Sequence, residues 1–134
     1  MTLSLSSASM LTAAAAAATL LIAAGPAAAA EPRACFFSNE LSNWREVGDR
    51  QVNLRVGVRD VYELKLLAPC QDLRYAESIG IETRGGSSSI CSGLDVNLIV
   101  PSSVTHSIPQ RCMATSLRKL SKDEARALPP KERP

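Results

Sequence analysis

Three features of the sequence predict a mainly β fold, a small single-domain β-barrel or twisted antiparallel sheet with one short helical turn, a short C-terminal helix and two disulfides. Several short runs alternate apolar and polar residues with a period of two, the signature of half-buried strands. Gly, Pro and Ser break those runs at close intervals, as an all-β domain requires. Four widely spaced cysteines follow an uncharged, Ala-rich start.

Every Lys, Arg, Asp and Glu lies at Glu31 or later, and Leu11 to Ala24 is apolar apart from Thr12 and Thr19. The run suits the apolar centre of a signal peptide better than a full membrane span. Gly25 and Pro26 break it, and Ala27 to Ala30 supply the small residues of a cleavage site. Residues 1–30 are therefore read as a signal peptide cut after Ala30 or one or two residues earlier. The absence of Lys and Arg before Met10 keeps an uncleaved anchor open as the alternative. The expected compartment is periplasmic or secreted, with no stable membrane insertion after cleavage.

Residues 31–128 are read as one four-cysteine β domain. Val52, Leu54, Val56 and Val58 alternate with Gln51, Asn53, Arg55 and Gly57; Tyr62, Leu64 and Leu66 then alternate with Glu63 and Lys65. A hairpin pairing Val56 with Tyr62, Leu54 with Leu64 and Val52 with Leu66 puts all six on one face. Pro69 ends the second strand, and Cys70 to Ala76 forms a helical turn with Leu73 and Ala76 on one side. Alternation resumes through Ile79 and Ile81, and a two-residue turn at Gly85 and Gly86 sets Ile81 opposite Ile90. Leu94, Val96, Leu98 and Val100 mark the next strand. Pro101 to Pro109 is a polar loop, and Arg111 to Leu117 a last strand with a poorer pattern. Ser121 and Glu124 form a capping box that opens a short helix, ended by Pro129 and Pro130. Residues 129–134 are read as a disordered tail.

Cys35, Cys70, Cys91 and Cys112 are even in number and too far apart for a Cys-x-x-Cys metal or redox site, so they are read as two disulfides. The favoured pairing is nested, Cys70 with Cys91 and Cys35 with Cys112, because the Gly85-Gly86 hairpin would carry Cys91 back toward Cys70. The rival pairs Cys35 with Cys70 and Cys91 with Cys112. A bridge closing about 20 residues contributes roughly 3 kcal/mol by the chain-entropy model. That matters in a domain whose aromatic residues number only five.

The set Cys35-Phe36, Trp44, Tyr62-x-Leu64, Pro69-Cys70-x-x-Leu73, Ala76-x-x-Ile79, Ile90-Cys91-x-Gly93, Cys112 and Leu120-Ser121-x-x-Glu124 resembles a family of uncharacterised small exported proteobacterial proteins, classed as a domain of unknown function. The likeness covers nearly all of Cys35 to Leu128. This chain carries Leu94 where the family has an acid directly after Cys-x-Gly, with Asp95 one residue later. The resemblance implies an envelope location and no activity.

The remaining candidates each have a plainer structural reading. Ser116-Leu117-Arg118-Lys119 matches the Ser-x-x-Lys of penicillin-binding enzymes but lies on a predicted strand without companion motifs. His106, the sole histidine, has no Cys, Asp or Glu at ligand spacing. Glu77 with Glu82, and Asp123 with Glu124, are read as surface charges rather than acid and base pairs. Trp44 is read as a core plug before a binding anchor. Gly85 to Ser89 lacks the Lys and helix of a phosphate loop. No catalytic, cofactor or metal site is assigned, and no cofactor is expected. The net charge of +2, from 15 basic and 13 acidic residues, gives no field for nucleic acid.

The expected function is therefore a non-enzymatic envelope protein that binds an unknown protein or cell-envelope component, or is structural. The alternative is an inhibitor of a periplasmic or foreign hydrolase acting through Pro101 to Pro109, and an enzyme with an unrecognised site ranks third.

Overall fold

The protein is described by a computed structural model over residues 34–102 and 108–134. The signal-peptide reading of residues 1–30, His106 and most of the Pro101–Pro109 loop lie outside those residues.

Six strands form one antiparallel sheet: β2 (Leu41–Glu46), β3 (Gln51–Val56), β4 (Asp60–Leu66), β5 (Gly80–Thr83), β7 (Val96–Val100) and β8 (Gln110–Lys119). Their spatial order is β2-β3-β4-β8-β7-β5, and the sheet curls into a half-barrel. Among the described residues a two-stranded ribbon of β1 (Phe36–Phe37) and β6 (Ser89–Ile90), several 3-10 turns including Gln71–Tyr75, and one α-helix, α1 (Lys122–Ala127), accompany it. The mainly β class, the short helix and the two disulfides are as the sequence predicts.

The core fills the concave side. Val52, Leu54 and Val56 of β3 and Tyr62, Leu64 and Leu66 of β4 are buried there with Leu98, Val100, Cys112 and Ala114, and Phe36, Leu73 and Ile90 close over them. The inward set of the hairpin is the predicted one, but its register is not. Val56 faces Asp60, Leu54 faces Tyr62 and Val52 faces Leu64, two residues tighter than expected. A slip of two leaves every side chain on its face, because the side-chain period of a strand is two. The three-residue turn this requires holds Gly57 at φ 59°, a left-handed angle that glycine tolerates best, and leaves Val58 85% exposed instead of inward.

The Gly85-Gly86 hairpin does not form. Both glycines take left-handed angles in a 3-10 turn at Arg84–Gly86, and the chain then leaves the sheet. Ile81 pairs with Leu98 of β7, and Ile90 pairs with Phe36. Only two residues after the turn adopt strand structure in β6, whereas β7 offers five with alternating burial, so β5 gains more by pairing with β7.

The last strand, expected to be marginal, is the longest and lies inside the sheet between β4 and β7. Its pattern reads poorly because the register shifts near Thr115: Ser116 faces Lys65, while Ala114 faces Leu66. This bulge lets Cys112, Ala114 and Leu117 serve one side despite a spacing that breaks strict alternation. Gly93 is buried against it. A Cβ on Gly93 would overlap the backbone N, Cα and C of Ser116, which accounts for glycine in the Cys91-x-Gly93 step.

The disulfides are Cys35–Cys91 and Cys70–Cys112, so both the nested pairing and its rival are corrected. Phe36 pairs with Ile90, and the antiparallel ladder brings the residue before one beside the residue after the other, with Cα atoms 4.2 Å apart. Cys70 follows β4, the neighbour of β8, and reaches Cys112 at a Cα separation of 5.9 Å. The favoured pairing rested on the hairpin that does not form. The bridges interleave and span 56 and 42 residues, worth about 4 kcal/mol each on the chain-entropy scale.

The tail, expected to be disordered, is docked. Asn53 is the buried polar residue of β3, and its Nδ2 donates to the Glu132 carbonyl at 3.0 Å. Arg133 donates to the Leu128 and Arg126 carbonyls, each at 2.7 Å, and Pro134 is buried. A buried amide needs partners, and the tail supplies one.

Candidate functional site

Most residues singled out in the sequence do not converge. Ser116 and Lys119 are three apart on β8, so their side chains leave opposite faces; Ser116 lies across from Lys65, and Lys119 across from Tyr62. Glu82 pairs with Arg111 at 3.3 Å and accepts from Asn97, while Glu77 is exposed outside the strands. Asp123 contacts Arg126 on open surface. Trp44 is half-buried against the core, across β2 and β3 from Leu54. Asp95, one residue later than the acid of the resembled family, accepts from the Cys91 backbone N–H at 3.2 Å and so braces the turn around Gly93. Among the described residues, no three His, Cys, Asp or Glu side chains stand together as metal ligands. No helix among them is long and apolar enough to cross a membrane.

The principal hollow lies at one end of the half-barrel, where the β3–β4 turn, the end of β8 and α1 meet. It has a volume of about 650 Å³. Leu117, Leu120, Ala34 and Ala125 give it apolar surface, and Arg59, Asp60, Arg118, Lys119, Lys122 and Glu124 give it charge. A second hollow of about 500 Å³ shares Ala34, Arg59, Asp60 and Lys119 with the first, so the Asp60–Lys119 pair borders both.

Local structure places each charge. The tight β3–β4 turn projects Arg59 and Asp60 from the sheet end. Asp60 takes Lys119 Nζ at 2.6 Å, and that nitrogen sits 5.8 Å from the centre of the Tyr62 ring. The hydrogen bond to Asp60 raises the Lys119 pKa against the opposing cost of burial. Burial raises the Tyr62 hydroxyl, partly offset by Lys119, and the ring packs on Phe36 with centroids 4.8 Å apart. At the helix, the Ser121 hydroxyl accepts from Glu124 N and Glu124 accepts from Ser121 N, the predicted capping box. Glu124 also takes Arg118 at 2.7 Å. The Ser121 backbone N–H, then Arg118, then the Ser121 hydroxyl hold its carboxyl down at about 2.

All four cysteines are in disulfides and the Ser121 hydroxyl serves the cap, so the groove offers fixed charge beside apolar surface. Sequence reasoning missed this site because its lining comes from separate stretches, near residues 34, 59, 91 and 117–125. The available signal was the Arg59-Asp60 turn facing a capping box that starts just after Leu120.

No curated protein and no solved structure matches the chain. The resemblance noted in the sequence points to an uncharacterised family, and at that level it holds: over residues 1–134 the chain matches, and belongs to, the family of unknown function DUF6491.

Proposed function

We propose that this protein is an exported, non-catalytic binding module of the cell envelope, and that its recognition site is the groove between the β3–β4 turn, β8 and α1. The observation that carries the reading is the groove itself: a hollow of about 650 Å³ that combines apolar walls with charged side chains. That volume lies in the ~300–1,000 Å³ range of small-molecule sites. Two interleaved disulfides support a rigid scaffold and an oxidising compartment. The uncharged Ala-rich segment before Glu31 supports export.

The test is an amide chemical-shift titration of the disulfide-intact protein against envelope material separated into lipid, glycan and protein fractions. Shifts confined to Ala34, Arg59, Asp60 and residues 117–125 are the expected result. Shifts at another surface, or none with any fraction, would overturn the reading.

A further inference from the structure

We propose that the groove receives a free single-chain fatty acid, with the carboxylate on its cationic side chains and the acyl chain on its apolar wall; this rests on the binding-module reading above. The first support is the charge balance. Four of the lining residues are cations and two are anions. Asp60 is engaged by Lys119 at 2.6 Å and Glu124 by Arg118 at 2.7 Å. Arg59 and Lys122 remain with no ion-pair partner among the described residues. A surplus of two cations in the groove suits one anionic head, and is too small to hold a polyanion such as nucleic acid.

The second support is the apolar wall. Leu117, Leu120, Ala34 and Ala125 provide the contact that an acyl chain needs.

The probe is 11-(dansylamino)undecanoic acid, whose fluorescence rises on entering an apolar site, with its methyl ester as the uncharged control. The disulfide-intact protein should bind the acid saturably at one site, about tenfold more tightly than the ester. The double variant Arg59→Gln, Lys122→Gln should lose about that factor for the acid and leave the ester unchanged. Ala125→Trp, which fills the hollow, should abolish both, with an unchanged thermal midpoint showing that the variant is folded. Equal affinity for acid and ester, or an acid affinity indifferent to the double variant, would overturn the proposal. So would a response seen only with phosphatidylglycerol vesicles, which would mark a membrane surface. If envelope fractions shift the groove amides and the acid does not bind, the ligand class is wrong and the binding-module reading stands. If neither perturbs the groove, both fail.

Discussion

Asn53 and Glu132, 79 residues apart in sequence, are joined by a 3.0 Å hydrogen bond from the side-chain amide of one to the main-chain carbonyl of the other. The bond ties the C-terminal turn to the outward face of β3. Removing Lys131 to Pro134 should therefore lose this bond and uncover the Asn53 amide to water, costing about 1 kcal/mol. The thermal midpoint should fall by several degrees in a domain of this size. An unchanged midpoint on differential scanning calorimetry would show that the tail contributes nothing.

Gly93→Ala should be among the most damaging single methyl additions in the domain, because the new Cβ meets the backbone of Ser116. Ser116 cannot move without disturbing the β4–β8 ladder beside its bulge, so a loss of ~3 kcal/mol is expected in urea unfolding. Gly57→Ala meets open space and carries only the strain of its left-handed angle, about 1 kcal/mol. The reverse ranking would refute the packing account.

Glu124 sets an acid limb of stability. Its carboxyl pKa is depressed to about 2, first by the Ser121 backbone N–H and then by Arg118, against roughly 4.3 in an unfolded chain. A depressed acid stabilises the fold above its unfolded pKa and loses that contribution as pH falls through its folded pKa. The stability gap between the native chain and Glu124→Gln should be constant above about pH 5, narrow below it, and close near pH 2. A carboxyl NMR titration placing Glu124 near its unfolded value would contradict this.

Peptide mapping of the unreduced protein should recover Cys35 joined to Cys91 and Cys70 joined to Cys112. Limiting reductant should open Cys35–Cys91 first, since Cys35 is exposed while Cys70 and Cys112 are both buried in the core. Loss of Cys70–Cys112 before the other bridge would show that exposure does not govern access.

The parts of the fold legible in the sequence are those set by local periodicity. Val52 to Val56 and Tyr62 to Leu66 declare an inward face, and Ser121 with Glu124 declares a helix start, because each signal lies within a few residues. The turn length between the two strands was not legible, since a two-residue slip conserves the same buried set. β8 was obscured by its bulge, which displaces Leu117 from the alternation of Cys112 and Ala114. The pairing of Phe36 with Ile90 joins two strands of two residues each, too short to carry a pattern, and the Cys35–Cys91 bridge depends on it. Asn53 occupied an outward polar position like any other until the tail covered it. The groove could not be read at all, because its walls meet only in space.

The interleaving of the two bridges also constrains the order of events during synthesis. As the chain emerges N-terminus first, Cys35 and Cys70 are the earliest thiols to meet, yet they are not partners. No native bond is available until Cys91 appears, and the second waits for Cys112, the final cysteine. An oxidant acting during emergence therefore captures a wrong bond first, and its correction requires thiol–disulfide exchange. Efficient maturation of so small a domain accordingly calls for a disulfide isomerase, or for oxidation held back until the strand carrying Cys112 has paired with β4.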